Sequence, residues 1–414
     1  MTATEPAGIA APPPGEVAAS ARRASRRALA DALRASRADT VATFAAYLRA
    51  IPGLVVPRRA ELNPPLWELG HIGWFQEYWL ARNPQRGRGV VADPDVQRRE
   101  GVRAGSDALY HSSRVAHELR WSLPLPDAGS TLADLDAQLA ATLALLERAA
   151  DEGDDSLYFF RLALFHEDMH HEAALYMAQG LGVAIDDARW QSRPLPEAGG
   201  AIELPAGGWR LGCDGAGFAF DNELAAHEVA MNACAIDCRV LRWDEYLAFV
   251  DAGGYGELRW WCEDGRAWLA ATRAGAPRYL RRAGDGWQQW RHGRWSALDA
   301  ALPACHLTRH EAQAWCNWAG RRLPSEAEWE CAAVCHPDAF RWGDVWEWTA
   351  SAFAPYPGFA AHPYRDYSAP WFDGRPVLRG ASFATQPRMR HPRYRNYFTA
   401  GRNDIFAGFR SCAA

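Results

Sequence analysis

At residues 190–200, WQSRPLPEAGG, the chain changes its grammar, and no other feature restricts its fold as much. Before this stretch, long Ala-, Leu- and Arg-rich segments recur at helical spacing. After it, short alternating pieces are separated by Gly and Pro turns. A helix buries a stripe and a strand buries a face, so such a chain builds two packing units of different kinds. The expectation is an α+β protein, with a helical unit over 21–192 and a mixed unit over 200–414. Residues 1–20, with several prolines, Glu5 and no apolar run, read as a disordered lead-in and not as a secretion signal.

The first unit reads as a bundle of four main helices with apolar stripes. Residues 19–51 form one long helix or a pair, ending near Pro52 and Gly53. Asn63 caps the next helix, with Pro64 at its first position, and that helix runs to Asn83 and Pro84. Thr131 with Asp134 resembles a capping box, ahead of a stripe made of Leu132, Leu135, Leu139, Leu143 and Leu146. Ser156 opens the last helix, which stops at Gly180–Gly182. In the second unit two short helices carry capping boxes, Thr308 with Glu311 and Ser325 with Glu328.

Composition narrows the chemistry. All 45 basic residues are Arg and none is Lys, which removes Schiff-base catalysis, pyridoxal-phosphate linkage and the P-loop lysine together. A net charge of −5 gives no basic field for nucleic acid, and no run reaches the roughly 18 apolar residues a membrane span needs. Nine cysteines, none before Cys213, include Cys234/Cys238 and Cys331/Cys335 at a spacing unlike that of zinc ribbons. They read as buried free thiols in a reducing compartment. We expect a cytoplasmic protein with no nucleic-acid and no membrane partner. The 20 tryptophans, most of them after residue 200, point to an irregular, loop-dominated second unit.

The last helix of the first unit contains FHEDMHHEA, residues 165–173. His166 and His170 are four apart, so both imidazoles lie on one helical face and can hold one metal. His71 stands mid-helix among Trp67, Trp74 and Phe75, and a bundle core can bring it opposite the pair. Three imidazoles leave positions on a metal open for other ligands. The same HExxH pattern belongs to zinc proteases, with Glu167 as general base. A zincin expects a third ligand downstream in a sheet-backed fold, whereas His71 lies 95 residues upstream in a bundle. Without the protease role, Glu167 reads as a surface carboxylate or as one that orients a ligand imidazole. His171 points about 100° away from His170 around the helix and reads as a supporting or surface residue.

The second unit contains RRLPSEAEWECAA (321–333), GDVWEWTAS (343–351), VLRGASFAT (377–385) and IFAGFR (405–410), in that order. Together these resemble the formylglycine-generating-enzyme, or sulfatase-modifying-factor, fold. The first unit adds WELGHIGWFQEYW (67–79) and the HExxH helix. This combination resembles the ergothioneine-type sulfoxide synthases. The resemblance implies a DinB-like four-helix bundle followed by a formylglycine-generating-enzyme-like domain. It implies a mononuclear non-haem Fe(II) held by His71, His166 and His170 at the domain interface. It also implies O2-dependent joining of a chalcogen to the imidazole of hercynine, trimethylated histidine. The substrate loop falls on Asn396, Tyr397 and Phe398, where an amide can anchor imidazole or carboxylate and aromatic faces suit a trimethylammonium group. The family uses a tyrosine near the iron as a proton or electron donor, which falls within PYPGFAAHPYRDYS (355–368). Tyr364 and Tyr367 are the candidates, with Tyr356, or a replacement by Phe359, left open. True formylglycine-generating enzymes bind copper through two cysteines near the C-terminal end, and no cysteine lies between Arg379 and Arg410 here.

Two departures bear on the subtype. Met169 stands where the ergothioneine enzymes carry Gln, so an amide next to the second motif histidine has become a thioether. Met169 therefore joins the candidate substrate-binding residues. In ALYHSSRVAHELRWSLPLP (108–126), Arg114 and Arg120 are present, but the arginine-pair pattern that holds a cysteine-containing co-substrate is gone. A less anionic donor fits, which points to the selenoneine-synthase branch: a carbon–selenium bond formed at C2 of hercynine from a selenosugar, giving selenoneine through a selenoxide. A sulfoxide synthase with an unusual thiol donor is the alternative. A zinc hydrolase and a non-catalytic binding module are the minor ones.

Overall fold

A computed structural model of the protein describes residues 14–149, 152–197 and 199–414. The expected lead-in lies outside the described residues over 1–13, but residues 14–20 are not disordered: they belong to a helix, α1 (Pro14–Ala21). Its Gly15 comes within van der Waals reach of Pro392. Just beyond it, Arg22 pairs with buried Glu223 through two bonds of 2.5 and 2.8 Å. Local composition predicts disorder here because the partners that hold the segment lie 201 residues away or more.

Four long helices follow the rhythm of the sequence. They are α2 (Arg26–Ala50), α3 (Pro65–Trp79), α5 (Ala128–Glu147) and α6 (Asp154–Leu181), with the short α4 (Ser106–Tyr110) between the second and third. The first three pack against one another and α6 packs on all of them. Three expected helix boundaries shift. α3 begins at Pro65 with no side-chain cap and ends at Trp79; the amide of Asn63 instead donates to Glu68. α5 is capped by Asp127, which accepts from Ser130 N at 2.7 Å, and Thr131 sits inside the first turn. α6 starts two residues before Ser156 and ends where Gly182 turns left-handed at φ 73°. α3 is buried on nearly every side, as suits the central helix of a core.

The second half is built from short strands. One four-stranded sheet has the order β1 (Ala201–Leu204), β4 (Cys234–Asp237), β13 (Cys412–Ala413), β8 (Arg321–Arg322). A second has the order β11 (Asn396–Tyr397), β10 (Pro376–Gly380), β9 (Trp346–Ala352), β12 (Ala407–Gly408), with β12 parallel to β9. A hairpin of β2 (Gly207–Leu211) and β3 (His227–Met231), and a meander of β5 (Leu280–Ala283), β6 (Gly286–Arg291) and β7 (Arg294–Ala297), complete the strands. Helices α7 (Trp243–Asp251), α8 (Glu263–Thr272), α9 (Arg309–Ala319) and α10 (Glu326–Cys335) pack among them. Both expected capping boxes form, at Thr308/Glu311 and Ser325/Glu328.

The two halves share one hydrophobic core, in which Trp79, Phe159 and Phe165 of the helical half meet Phe218, Phe220 and Trp346 of the other. Polar contacts on α6 reinforce this. Asp168 receives Arg388 at 2.6 and 2.7 Å and Ser36 at 2.6 Å. Glu172 receives Trp346 Nε1, Ser382 and Thr385 at 2.5–2.8 Å. Buried carboxylates need such partners, so α6 is fixed in register against the second half. Among the described residues, no helix is long and apolar enough to cross a membrane. The nine cysteines are all free thiols, five of them buried.

Candidate metal centre

His71 is carried on α3 between two glycines that let neighbours approach closely. A Cβ on Gly70 would lie 2.3 Å from the Tyr110 ring, and one on Gly73 would lie 2.1 Å from Gln138. The rings of Trp67 and Trp74 stack on the His71 imidazole at 4.8 and 5.6 Å. From α6, His166 and His170 face it, with ring centroids 5.1 and 4.9 Å from that of His71 and 4.4 Å from each other. One nitrogen from each of the three lies within 4.8 Å of the others.

Which nitrogen each ring offers follows from its other bond. His71 Nδ1 is 2.8 Å from the carbonyl oxygen of Tyr110, so Nδ1 carries the proton and Nε2 is free. His170 Nδ1 is 2.5 Å from Glu68 Oε2, which frees its Nε2 in the same way. His166 Nε2 is buried with no partner, a costly arrangement unless something fills the space before it. Phe75 lies flat against the His166 ring at 3.4 Å and fixes its plane. Burial, then the neighbouring His170, pushes His71 down to about 3. Burial pushes His166 well below the ordinary range, with His170 and His71 adding to it. Both imidazoles are thus neutral near pH 7, the form that binds metal. Burial works to raise Glu68, but His170 and then His71 and Arg120 outweigh it and hold it at about 2. A carboxylate backing a histidine in this way orients the ring and raises its basicity. Three imidazoles that leave coordination positions open suit a divalent first-row metal.

One cavity borders the triad at His170, and a second lies beyond Phe75, the ring stacked on His166. The first, of about 210 Å³, is lined by His170, Met169 and Tyr176 of α6 and by Tyr394, Asn396 and Phe398 of the second half. The other, of about 290 Å³, is lined by Phe75, Trp79, His111, Arg114 and Tyr364. The expected substrate residues divide. Asn396, Phe398 and Met169 border the first cavity together with His170. Tyr397 does not: its ring stacks on Phe353 at 4.0 Å and its hydroxyl donates to the Tyr367 carbonyl. The Phe398 face is met by the Arg402 guanidinium at 5.1 Å. An aromatic pair of Tyr397 and Phe398 around a ligand cation is therefore not formed. Of the tyrosines, Tyr364 stands over Phe75 at 4.9 Å and 6.2 Å from His166. Tyr367 lies farther off, with its hydroxyl 2.9 Å from that of Tyr394. Tyr356 is bonded to Glu326 at 3.2 Å, and Phe359 packs on Phe372, both within the second half.

Other readings are corrected. Glu167 is neither exposed nor aimed at a ligand: it is buried and paired with Arg37 at 2.8 and 3.1 Å. That leaves neither a free general base nor an orienting carboxylate, and Glu68 has the orienting position. His171 is buried with Nε2 3.0 Å from Thr43 Oγ1. Arg120 lies over Trp67 at 3.9 Å and bonds Asn63, while Arg114 is exposed at the second cavity. Sequence reasoning missed Glu68, Tyr176 and Tyr394. Only Glu68 carried a signal, standing one turn before His71 in WELGH.

Comparisons agree with this architecture. The sulfatase-modifying factor enzyme 1-like domain family matches residues 187–342 and 339–414, and the DinB superfamily matches residues 42–174. Hercynine oxygenase of Mycolicibacterium smegmatis is 32% identical over 409 residues, covering 84% of this chain and 90% of that protein. Hercynine oxygenase of Mycobacterium tuberculosis is 31% identical over 400 residues, with the same coverage. The formylglycine-generating enzyme of Bos taurus is 30% identical over 174 residues, covering 37% of this chain and 44% of that protein. The likeness thus runs through both halves of the chain and nearly the whole length of the first two relatives, and the chain belongs to the hercynine oxygenase family.

Proposed function

We propose that this protein is an O2-dependent non-haem iron enzyme that joins selenium, delivered on a sugar as the selenol, to C2 of the hercynine imidazole. The observation that carries the reading is the convergence of three imidazoles, two of them buried and the third half-buried at a cavity, each with a nitrogen to spare. His71, His166 and His170 hold Fe(II), and the four long helices around them form a DinB-like bundle. When bound, the iron supplies the means of activating O2. Overall, the ring C2–H and the selenol Se–H are lost, a C–Se bond forms, one oxygen atom ends on selenium as the selenoxide, and the other leaves as water. The selenoxide is the precursor of selenoneine.

The chain's own groups do the positioning. Hercynine occupies the cavity beside His170, with Asn396 and Met169 at its walls. Because Asn396 Oδ1 already accepts from the Tyr397 N–H at 2.9 Å, what it offers a ligand is its amide donors. Tyr364, on the far side of His166, is the better placed of the two candidate tyrosines to give a proton or an electron. The donor enters by the second cavity. Arg120 is engaged on Trp67 and Asn63, and of the two arginines that line that space Arg365 is already paired with Asp95, which leaves Arg114. A γ-glutamyl thiol with two carboxylates would lack a bidentate pair there, which favours a less charged sugar-borne donor. A cytoplasmic setting fits the free thiols, and we take 21–192 and 200–414 as the two domains. Equal concentrations of selenosugar, thiosugar and γ-glutamylcysteine in one reaction, with products counted by mass spectrometry, test the donor. The selenosugar product is expected to dominate. If γ-glutamylcysteine reacts as fast, the protein is a sulfoxide synthase of the ergothioneine type.

A further inference from the structure

The cavity beside His170 contains a phenol whose strongest hydrogen bond is unspent. Tyr394 is buried, and its hydroxyl has two neighbours: Tyr367 OH at 2.9 Å and the sulfur of Met169 at 3.3 Å. Counting protons settles the direction of the pair. If Tyr394 donated to Tyr367, the Tyr367 proton would have no acceptor among the described residues, since its hydroxyl meets no other group. The arrangement that satisfies both is Tyr367 donating to Tyr394, and Tyr394 donating to sulfur. A thioether is a weak acceptor, so this O–H rests on a bond that costs little to give up. Tyr394 and Met169 both line the cavity, with Met169 adjacent in sequence to His170. A ring held for chemistry near the histidine triad therefore passes within reach of the phenol.

We propose that Tyr394 is a substrate-binding residue that turns its hydroxyl from Met169 to a ring nitrogen of the bound imidazole, with Tyr367 donating from behind. The bond that breaks is O–H···S, the bond that forms is O–H···N, and no proton is transferred. Tyr367 strengthens it, because a hydroxyl that accepts a hydrogen bond is a better donor. The Trp346 ring, 5.5 Å from that of Tyr394, and Phe220, 5.5 Å away edge-on, hold the phenol in place. This inference rests on the imidazole substrate class of the reading above, but not on the methylation of the amine or on the chalcogen.

The test is binding to the anaerobic Fe(II)-loaded protein, by calorimetry and by ultraviolet difference spectroscopy of tyrosine, with hercynine and histidine as probes. Tyr394→Phe keeps the ring and its packing. It is expected to weaken whichever probe binds by about ten-fold at unchanged melting temperature, and to abolish the tyrosine difference band that ligand produces in the wild type. Tyr367→Phe removes only the rear bond and is expected to weaken binding about two- to three-fold. Wild-type affinity in Tyr394→Phe, or persistence of the band in it, overturns the assignment. Equal wild-type affinities for hercynine and histidine would count against hercynine as the substrate while leaving the Tyr394 ratio to be read, because both carry the same ring. Failure of both to bind the wild type would overturn the two readings together.

Discussion

Glu68 touches no ligand position, yet the centre is expected to weaken sharply without it. Its Oε2 holds His170 Nδ1 at 2.5 Å in a site where the carboxylate is 6% exposed. Glu68→Ala removes that acceptor, leaves the His170 ring free to change tautomer, and strips the negative charge beside Arg120. Hydrogen bonds to charged groups contribute roughly 1.5–3 kcal/mol, which corresponds to about 10- to 100-fold in metal affinity, the range usual for residues that back a ligand. Glu68→Gln keeps a neutral acceptor for Nδ1–H and loses only the charge, so its loss falls between wild type and Glu68→Ala. The assay is anaerobic titration of Fe(II) against a chromophoric chelator, with melting temperature as a check on folding. An unchanged Fe(II) affinity in a folded Glu68→Ala protein would refute the claim that this carboxylate orients His170.

Three further outcomes follow from the same geometry. His71→Ala, made without touching the HExxH helix, is expected to lose bound iron by elemental analysis after desalting; full occupancy would remove His71 from the ligand set. Arg388→Ala leaves Asp168 buried with only Ser36 as partner and is expected to cost about 3–5 kcal/mol in urea unfolding; a loss under 1 kcal/mol would mean that this contact does not fix α6 against the second half. Burial lifts Glu311 from 4.5 to about 7, against the pull of Thr308 and Tyr255. The folded state therefore keeps a proton that the unfolded chain releases, so the stabilisation is complete below about pH 4.5 and is lost as pH rises through 7, ~3 kcal/mol in all. Glu311→Gln removes that slope. Its stability relative to wild type should be about 2.5 kcal/mol more favourable at pH 8 than at pH 5, and an equal difference at the two pH values would contradict the assignment.

Much of this was legible wherever the determinant was local. The spacing of His166 and His170 and the capping boxes at Thr308 and Ser325 are written within a few residues, and the structure realises each. His71 was found because its aromatic neighbours are also its helical neighbours. What failed was set by distant partners. Glu167 resembles a base or an orienting group until Arg37, 130 residues away, claims it. α1 resembles a loose tail because Pro392 and Glu223, which receive it, lie in the other half. Tyr397 sits beside Asn396 and Phe398 in sequence, but neighbours on a strand point to opposite faces, and it turns to Phe353 and not to the cavity. Tyr394 meets Met169 across 225 residues, a contact no local pattern encodes.

The most direct measurement of the central claim is single-turnover chemistry on the reconstituted protein. Wild type and His71→Ala are loaded with Fe(II) under argon, mixed with hercynine and the selenosugar, exposed to 18O2, and analysed by mass spectrometry. The account expects a hercynine–selenium adduct carrying one 18O atom from the wild type, and none from the variant or without O2. An adduct that forms equally well without oxygen, or in the variant lacking the His71 imidazole, would contradict it.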